Sequence, residues 1–325
     1  MTPAEASPST LALAVAARWR WWEFALLALA LLSWFLLPGH ALLLNEVAIL
    51  ALFALSLDLI LGYAGIVSLG HAAYFGFGAY VAALFAKHVL PDPLLGMAVA
   101  IAAATALGFA TSALILRGSD LTRLMVTLGI ALILYELANR LDWLTGGADG
   151  LQGVVMGPLL GRFEFDLFGR TAYGYSLVVL VLALLFCRRL VHSPFGVSLQ
   201  AMRDNPLRAT SIGLSVRRRL VAVYTIAAGL AGAAGALMAQ TSGFASLDVL
   251  DFHRSADVLL VLVIGGGGYL YGGIVGAVAF KLLHDAISVL TPQYWTFWLG
   301  LFLMVLVLVG RDRLVRPWTW LRRSR

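Results

Sequence analysis

From Trp21 to Gly310 the sequence runs in long apolar blocks, and its basic residues gather mainly in the connections between them. A block of about 20 apolar residues crosses a bilayer as a helix, because a helix satisfies its backbone groups from within its own segment. With 61% hydrophobic and only 12% charged residues, the chain has more apolar surface than a soluble domain hides. The expected fold is therefore an all-α polytopic membrane protein with about ten transmembrane helices. The spans fall near 22–37, 41–61, 66–86, 94–116, 121–141, 173–187, 219–240, 256–269, 271–290 and 295–310.

Charge orients them. With the N-terminus inside, 117–123, 188–219 and the tail 311–325 all face the cytoplasm, and each is arginine-rich. The acidic segments 142–172 and 241–255 then fall outside. This predicts a cytoplasmic N-terminal segment 1–21, a transmembrane domain 22–310 and a basic cytoplasmic tail 311–325. Reading Ala256–Leu290 as one helix would put the arginine tail outside, so the block is broken at its glycine run. The basic surplus beside apolar spans points to membrane lipid rather than nucleic acid. Leu11–Ala17 is too short for a secretory signal, and Arg18 and Arg20 follow it instead of preceding it.

The spans carry polar residues. Asn45, Glu46 and Asp58 interrupt 41–61, and a central acid costs about 3 kcal/mol on insertion scales. Acids satisfied by neighbouring helices are the expectation. Glu136 with Arg140 and Lys281 with Asp285 are spaced i,i+4, so each pair can neutralise itself on one helix. The nearly all-small stretch Ala227–Ala239 and the pair Gly272 and Gly276 suit close helix packing. Four consecutive glycines, Gly265, Gly266, Gly267 and Gly268, break a helix instead. Two readings stay open for them: a cavity or hinge at membrane depth, and a plain cytoplasmic turn. The glycine-rich stretch 144–153 reads either as a surface loop or as one folding back into an outer mouth.

No Gly-x-x-x-x-Gly-Lys-Ser/Thr phosphate cradle, His-Glu-x-x-His zinc motif or nucleophile elbow is present. The single cysteine, Cys187, excludes an internal disulfide, and the six histidines lack metal-ligand spacing. No catalytic residue, metal site or bound cofactor is expected. If the chain moves anything uphill, the energy must come from an ion gradient or a partner.

The longest polar interruption, Arg188–Arg219, carries seven Arg and one Asp, a net charge of six (7 − 1). Ser193-Pro194 and Asn205-Pro206 each place a capping residue before a proline at the first helical position, and Gly213 is a natural stop. Two short helices at a membrane surface are predicted. Phe195, Leu199 and Met202 share one face, with Leu207 and Ile212 suggesting a second apolar side.

Four stretches together resemble the membrane permease subunits of bacterial branched-chain amino acid ABC importers. They are GYAGIVSLGHAAYFGFGAY (62–80), TLGIALILYELANRLDWLTGGADGLQGV (127–154), SPFGVSLQAMRDNPLRATSIGL (193–214) and DVLLVLVIGGGGYLYGGIVGA (257–277). The likeness covers nearly all the chain after residue 40, departing from the family's pattern at Val197, Tyr269 and Gly273. The resemblance implies a permease working beside a second, similar permease subunit, with two ABC ATPase subunits below and a periplasmic substrate-binding protein above. ATP and Mg would sit in the ATPase subunits, and the location would be the bacterial inner membrane.

By the same resemblance, the coupling helices are Pro194, Phe195, Gly196, Leu199, Met202, Arg203, Asp204, Asn205, Pro206, Leu207 and Gly213. Phe195, Leu199, Met202 and Leu207 are the expected apolar anchors on an ATPase subunit. Ser68, His71, Thr145, Asp149 and Gly265–Gly268 are the candidates for a polar path. An amino acid is the implied cargo. Urea, short amides or aromatic acids are alternative cargoes; an ion-coupled transporter and a passive channel are alternative mechanisms.

Overall fold

The computed structural model describes residues 21–166 and 168–290, together with 294, 297, 298, 300, 301 and 304. Among them the regular structure is helical, apart from two isolated antiparallel bridges. In chain order the α-helices longer than four residues are α1 (Trp21–Leu36), α2 (Ala41–Asp58, extended by a π-helical turn Leu59–Tyr63), α3 (Ala72–His88), α4 (Pro93–Ile115) and α5 (Asp120–Arg140). After a long connection follow α6 (Arg170–Val191), α7 (Pro194–Asp204), α8 (Pro206–Ser211), α9 (Val216–Ser242), α10 (Phe252–Gly265) and α11 (Gly272–Leu290).

Among the described residues, six stretches are long and apolar enough to cross a membrane: Pro38–Tyr63, Pro93–Ile115, Asp120–Arg140, Arg170–Val191, Val216–Ser242 and Gly272–Val289. The chain is a multi-pass membrane protein. The expected span 295–310 and the segments 1–21 and 311–325 lie almost wholly outside the described residues. The break placed in the glycine run is where α10 ends and α11 begins.

Two expected spans are corrected. The span placed at 66–86 becomes helical only at Ala72, and the one placed at 256–269 is the helix Phe252–Gly265. Both are short, at 17 and 14 residues. In each case irregular backbone adjoins the short helix. After its π-turn, the chain from 64 to 71 folds back along α2, so that His71 stacks on Phe53 with ring centroids 5.5 Å apart. Its backbone polar groups find protein partners: the N–H of Ile66 donates to Ile60 O, that of Leu69 to Thr127 Oγ1, and that of Ala72 to Ser255 Oγ. Such backbone is tolerated within a membrane only when protein or a water-filled cavity surrounds it. Ahead of α10, the buried 3-10 turn Leu247–Leu250 likewise enters the bundle, where Leu250 lies against Gly76.

The core is built around α9. Its small-residue stripe brings backbone against backbone: a methyl at Gly235 would overlap the Phe75 carbonyl, and one at Gly78 would overlap the backbone of Gly232. Without bulky side chains to interdigitate, van der Waals contact between close backbones does the holding. Gly272 and Gly276 do the same for α10 and α11, facing Gly265 and Val261.

The polar residues singled out within the spans, Asn45, Glu46, Asp58, Glu136, Arg140, Lys281 and Asp285, have partners. Ser176 Oγ donates to Asn45 Oδ1 at 2.6 Å, and Lys281 Nζ lies 2.7 Å from Glu46 and 3.1 Å from Asp285. Arg140 pairs with Glu136 at 2.6 Å. The stretch 144–153 ends on the bundle, where Leu151 is buried and bridges to Ala245.

Candidate functional site: the arginine elbow and the helix breaks

The elbow folds as two capped helices. Ser193 Oγ accepts from Gly196 N at 3.4 Å with Pro194 at the first position of α7, and Asn205 Oδ1 accepts from Arg208 N at 2.9 Å with Pro206 opening α8. Gly213 ends the motif at φ +84°, a left-handed conformation that glycine adopts without a side-chain penalty. Both caps are local, so the sequence sufficed to find them.

The faces divide differently from the expectation. Leu199 and Met202 are 0% and 4% exposed, sunk into the protein's own core with Phe195 packed beside them. They anchor the elbow to its own bundle, because α7 runs directly beneath the helix ends it must cover. Leu207 and Ile212, 81% and 70% exposed, form the free apolar surface together with Val197. Asp204 is exposed and 3.3 Å from Arg203.

Arg203 turns inward from this elbow. Its guanidinium donates to the Gly62 carbonyl in the π-turn that ends α2, and its stem covers Gly65, whose φ is +72°. The last carbonyls of a helix lack intrahelical donors and carry the negative end of the macrodipole, so a cation there meets a real need. The glycine run reaches the same point. Gly268 N–H donates to Asp58 Oδ1 at 2.7 Å, Gly268 packs on Gly62, and the Tyr63 hydroxyl meets the backbone of Leu270. Thus Asp58, Gly62, Gly268 and Arg203 tie three elements: the end of α2, the α10–α11 break and the elbow. Nearby, a buried ion pair, Arg188 to Glu23 at 3.0 Å, fastens α6 to α1. Sequence reasoning missed Glu23, since nothing local relates it to Arg188.

Deeper in the bundle, Ser68 and His71 come together in the folded-back segment. Both are buried, at 0% and 1% exposure. His71 Nε2 lies 2.9 Å from Ser56 Oγ, and Ser68 sits against the Tyr224 hydroxyl, which accepts from Tyr74 at 3.3 Å. Ser56, Thr127, Ser255, Tyr74 and Tyr224 complete this polar layer and were not singled out from the sequence, where lone hydroxyls in apolar blocks give no signal. Thr145 and Asp149 are not part of it. Thr145 Oγ1 donates to the Ala138 and Leu141 carbonyls, closing the end of α5, and Asp149 is exposed at the acid-rich end. Gly265–Gly268 belong to the Arg203 junction. Among the described residues no group of three or more His, Cys, Asp or Glu side chains is arranged to hold a metal ion.

A family described as "Branched-chain amino acid transport system / permease component" matches residues 40–309. The high-affinity branched-chain amino acid transport system permease protein LivM of Escherichia coli (strain K12) is 30% identical over 294 residues, covering 82% of this chain and 68% of that protein. LivM of Salmonella typhimurium matches to the same extent. The autoinducer 2 import system permease protein LsrC of Salmonella typhi is 28% identical over 195 residues, covering 58% of this chain and 53% of that one. No solved structure gives a significant match.

Proposed function

Because the chain belongs to the branched-chain amino acid transport permease family, we propose that it is one membrane-spanning half of an ATP-driven importer. Its cargo in this reading is a branched-chain or related amino acid, moved across the bacterial cytoplasmic membrane. It hydrolyses nothing itself. ATP and Mg are held by two ABC ATPase subunits that dock on the elbow, a second homologous permease completes the membrane assembly, and a periplasmic binding protein delivers the amino acid. The arginine-rich end then faces the cytoplasm, with both termini on that side.

One observation carries this reading. The elbow offers Leu207 and Ile212 outward while Arg203, on the adjoining helix, holds the ends of two broken helices within the bundle. A load applied to α8 from outside therefore arrives where the membrane helices are interrupted. A zwitterion needs polar surface through the bilayer. In the open state, Ser68, His71 and the glycine-run backbone supply it, and Thr145 and Asp149 belong to the outer mouth.

The test is reconstitution. Proteoliposomes holding this chain, the second permease, both ATPase subunits and the binding protein are expected to accumulate labelled leucine only with ATP. The double substitution Leu207→Asp, Ile212→Asp is expected to release the ATPase subunits. Accumulation driven by a proton or sodium gradient without the ATPases would overturn the proposal. The match to autoinducer 2 permeases favours one second reading of cargo, a small polar solute other than an amino acid. Competition assays with the binding protein present separate the two.

A further inference from the structure

At the arginine-rich end of the bundle, α4 and α9 leave an open groove of about 840 Å³ between them. Phe109, Ala113, Ala222 and Ile226 form its apolar walls, and Arg217 and Arg218 stand at its rim. Phe109 is 63% exposed, a bare aromatic facing the groove.

Three features of the rim favour an anion there. Arg217 and Arg218 are exposed, and among the described residues neither makes an ion pair or a hydrogen bond. Both lie in the first turn of α9, a 27-residue helix with no acidic residue in that turn and no side-chain cap. Two adjacent cations at the positive end of a long macrodipole repel it and each other, whereas an anion at that place is stabilised by all three. Thr225, two turns further in, lines the groove with a buried hydroxyl that has no partner among the described residues.

An apolar trough at membrane depth with paired arginines at the cytoplasmic rim matches an anionic phospholipid. We propose that the α4–α9 groove holds one such lipid, its acyl chain along Phe109, Ala113, Ala222 and Ile226 and its phosphate on Arg217 and Arg218. A second permease is the poorer occupant. A subunit with a similar arginine-rich end would bring like charges together here, and burying the arginines against protein would cost their hydration. The inference does not depend on what the protein transports.

The test uses the full chain purified in neutral detergent and stripped of lipid, then titrated separately with phosphatidylglycerol, phosphatidylcholine and inorganic phosphate under native mass spectrometry. One phosphatidylglycerol is expected to stay bound, with phosphatidylcholine held far more weakly and phosphate alone not at all. Arg217→Gln with Arg218→Gln should weaken retention about thirtyfold, at about 1 kcal/mol per arginine near the headgroup. Ala222→Phe should abolish it by filling the trough while leaving the charges in place. Thermal unfolding without lipid verifies that each variant is folded. Equal retention of both lipids, retention unchanged in either variant, capture of phosphate alone, or a crosslink from position 222 to a second permease would each overturn the proposal.

Discussion

Replacing Arg203 by alanine tests the link between elbow and membrane helices most directly. A hydrogen bond from a charged donor to a carbonyl contributes about 1.5–3 kcal/mol. The Arg203 side chain is 40% exposed, so water competes for it, and about 1–2 kcal/mol is the reasonable share. That corresponds to a fivefold to thirtyfold change in an equilibrium between engaged and disengaged states, at about 1.4 kcal/mol per factor of ten. The protein should still assemble, because Leu199 and Met202 keep α7 seated in the core and Leu207 and Ile212 are untouched. In proteoliposomes, Arg203→Ala is expected to leave ATP hydrolysis in place while import per ATP falls about fivefold to thirtyfold. Arg203→Lys should recover part of the loss, since an ammonium still donates to the Gly62 carbonyl. Wild-type import per ATP in Arg203→Ala would refute the reasoning. So would loss of the ATPase subunits, which would make Arg203 a docking residue instead.

Further expectations concern the scaffold. Gly62→Ala puts a methyl against Asp58 Oδ1 and the Gly268 amide, 2.8 Å from Gly268 Cα, and should cost at least about 1–3 kcal/mol of thermal stability in detergent. Gly129→Ala in α5 meets nothing within 4 Å and should be neutral or gain up to about 1 kcal/mol; equal melting of the two variants would contradict this packing. Glu23→Ala removes the carboxylate that pairs with Arg188, whose side chain is 9% exposed, and should cost up to about 3–5 kcal/mol, read by the same assay. At the acid-rich end, partial burial works to raise the pKa of Asp166, but N–H groups of Thr171 and Arg170 outweigh it and hold the carboxyl below its ordinary 3.8. Its stabilisation is therefore fully present above that value and fades as pH falls through the lower folded one. Asp166→Asn should cost about 1 kcal/mol at neutral pH and progressively less as pH falls below 3.8, as followed by thermal unfolding.

Much of this was legible in the chain because it is local. Ser193-Pro194 and Asn205-Pro206 announce α7 and α8 through contacts spanning three residues, and Lys281 with Asp285 through one helical turn. The distribution of arginines broke the late block at the glycine run for a similarly simple reason: the bilayer sorts charge by side, whatever the tertiary packing. Hydropathy, however, records only how apolar a stretch is. The run 66–86 is mostly apolar and small, so it read as one span, although its first residues are held out of the helix by bonds from Leu69 N–H to Thr127 and from Ala72 N–H to Ser255.

The division follows from what each force can see. Solvation by lipid acts on every residue separately, so the sequence alone determined a helical membrane protein, its arginine-rich end and its capped elbow. Which helices are broken, which face of the elbow is free, and that Arg203, Gly62, Gly268 and Asp58 share one junction were decided only in three dimensions. Those contacts join residues up to 210 positions apart, as Asp58 and Gly268 are, and no local pattern foretells a partner at that distance.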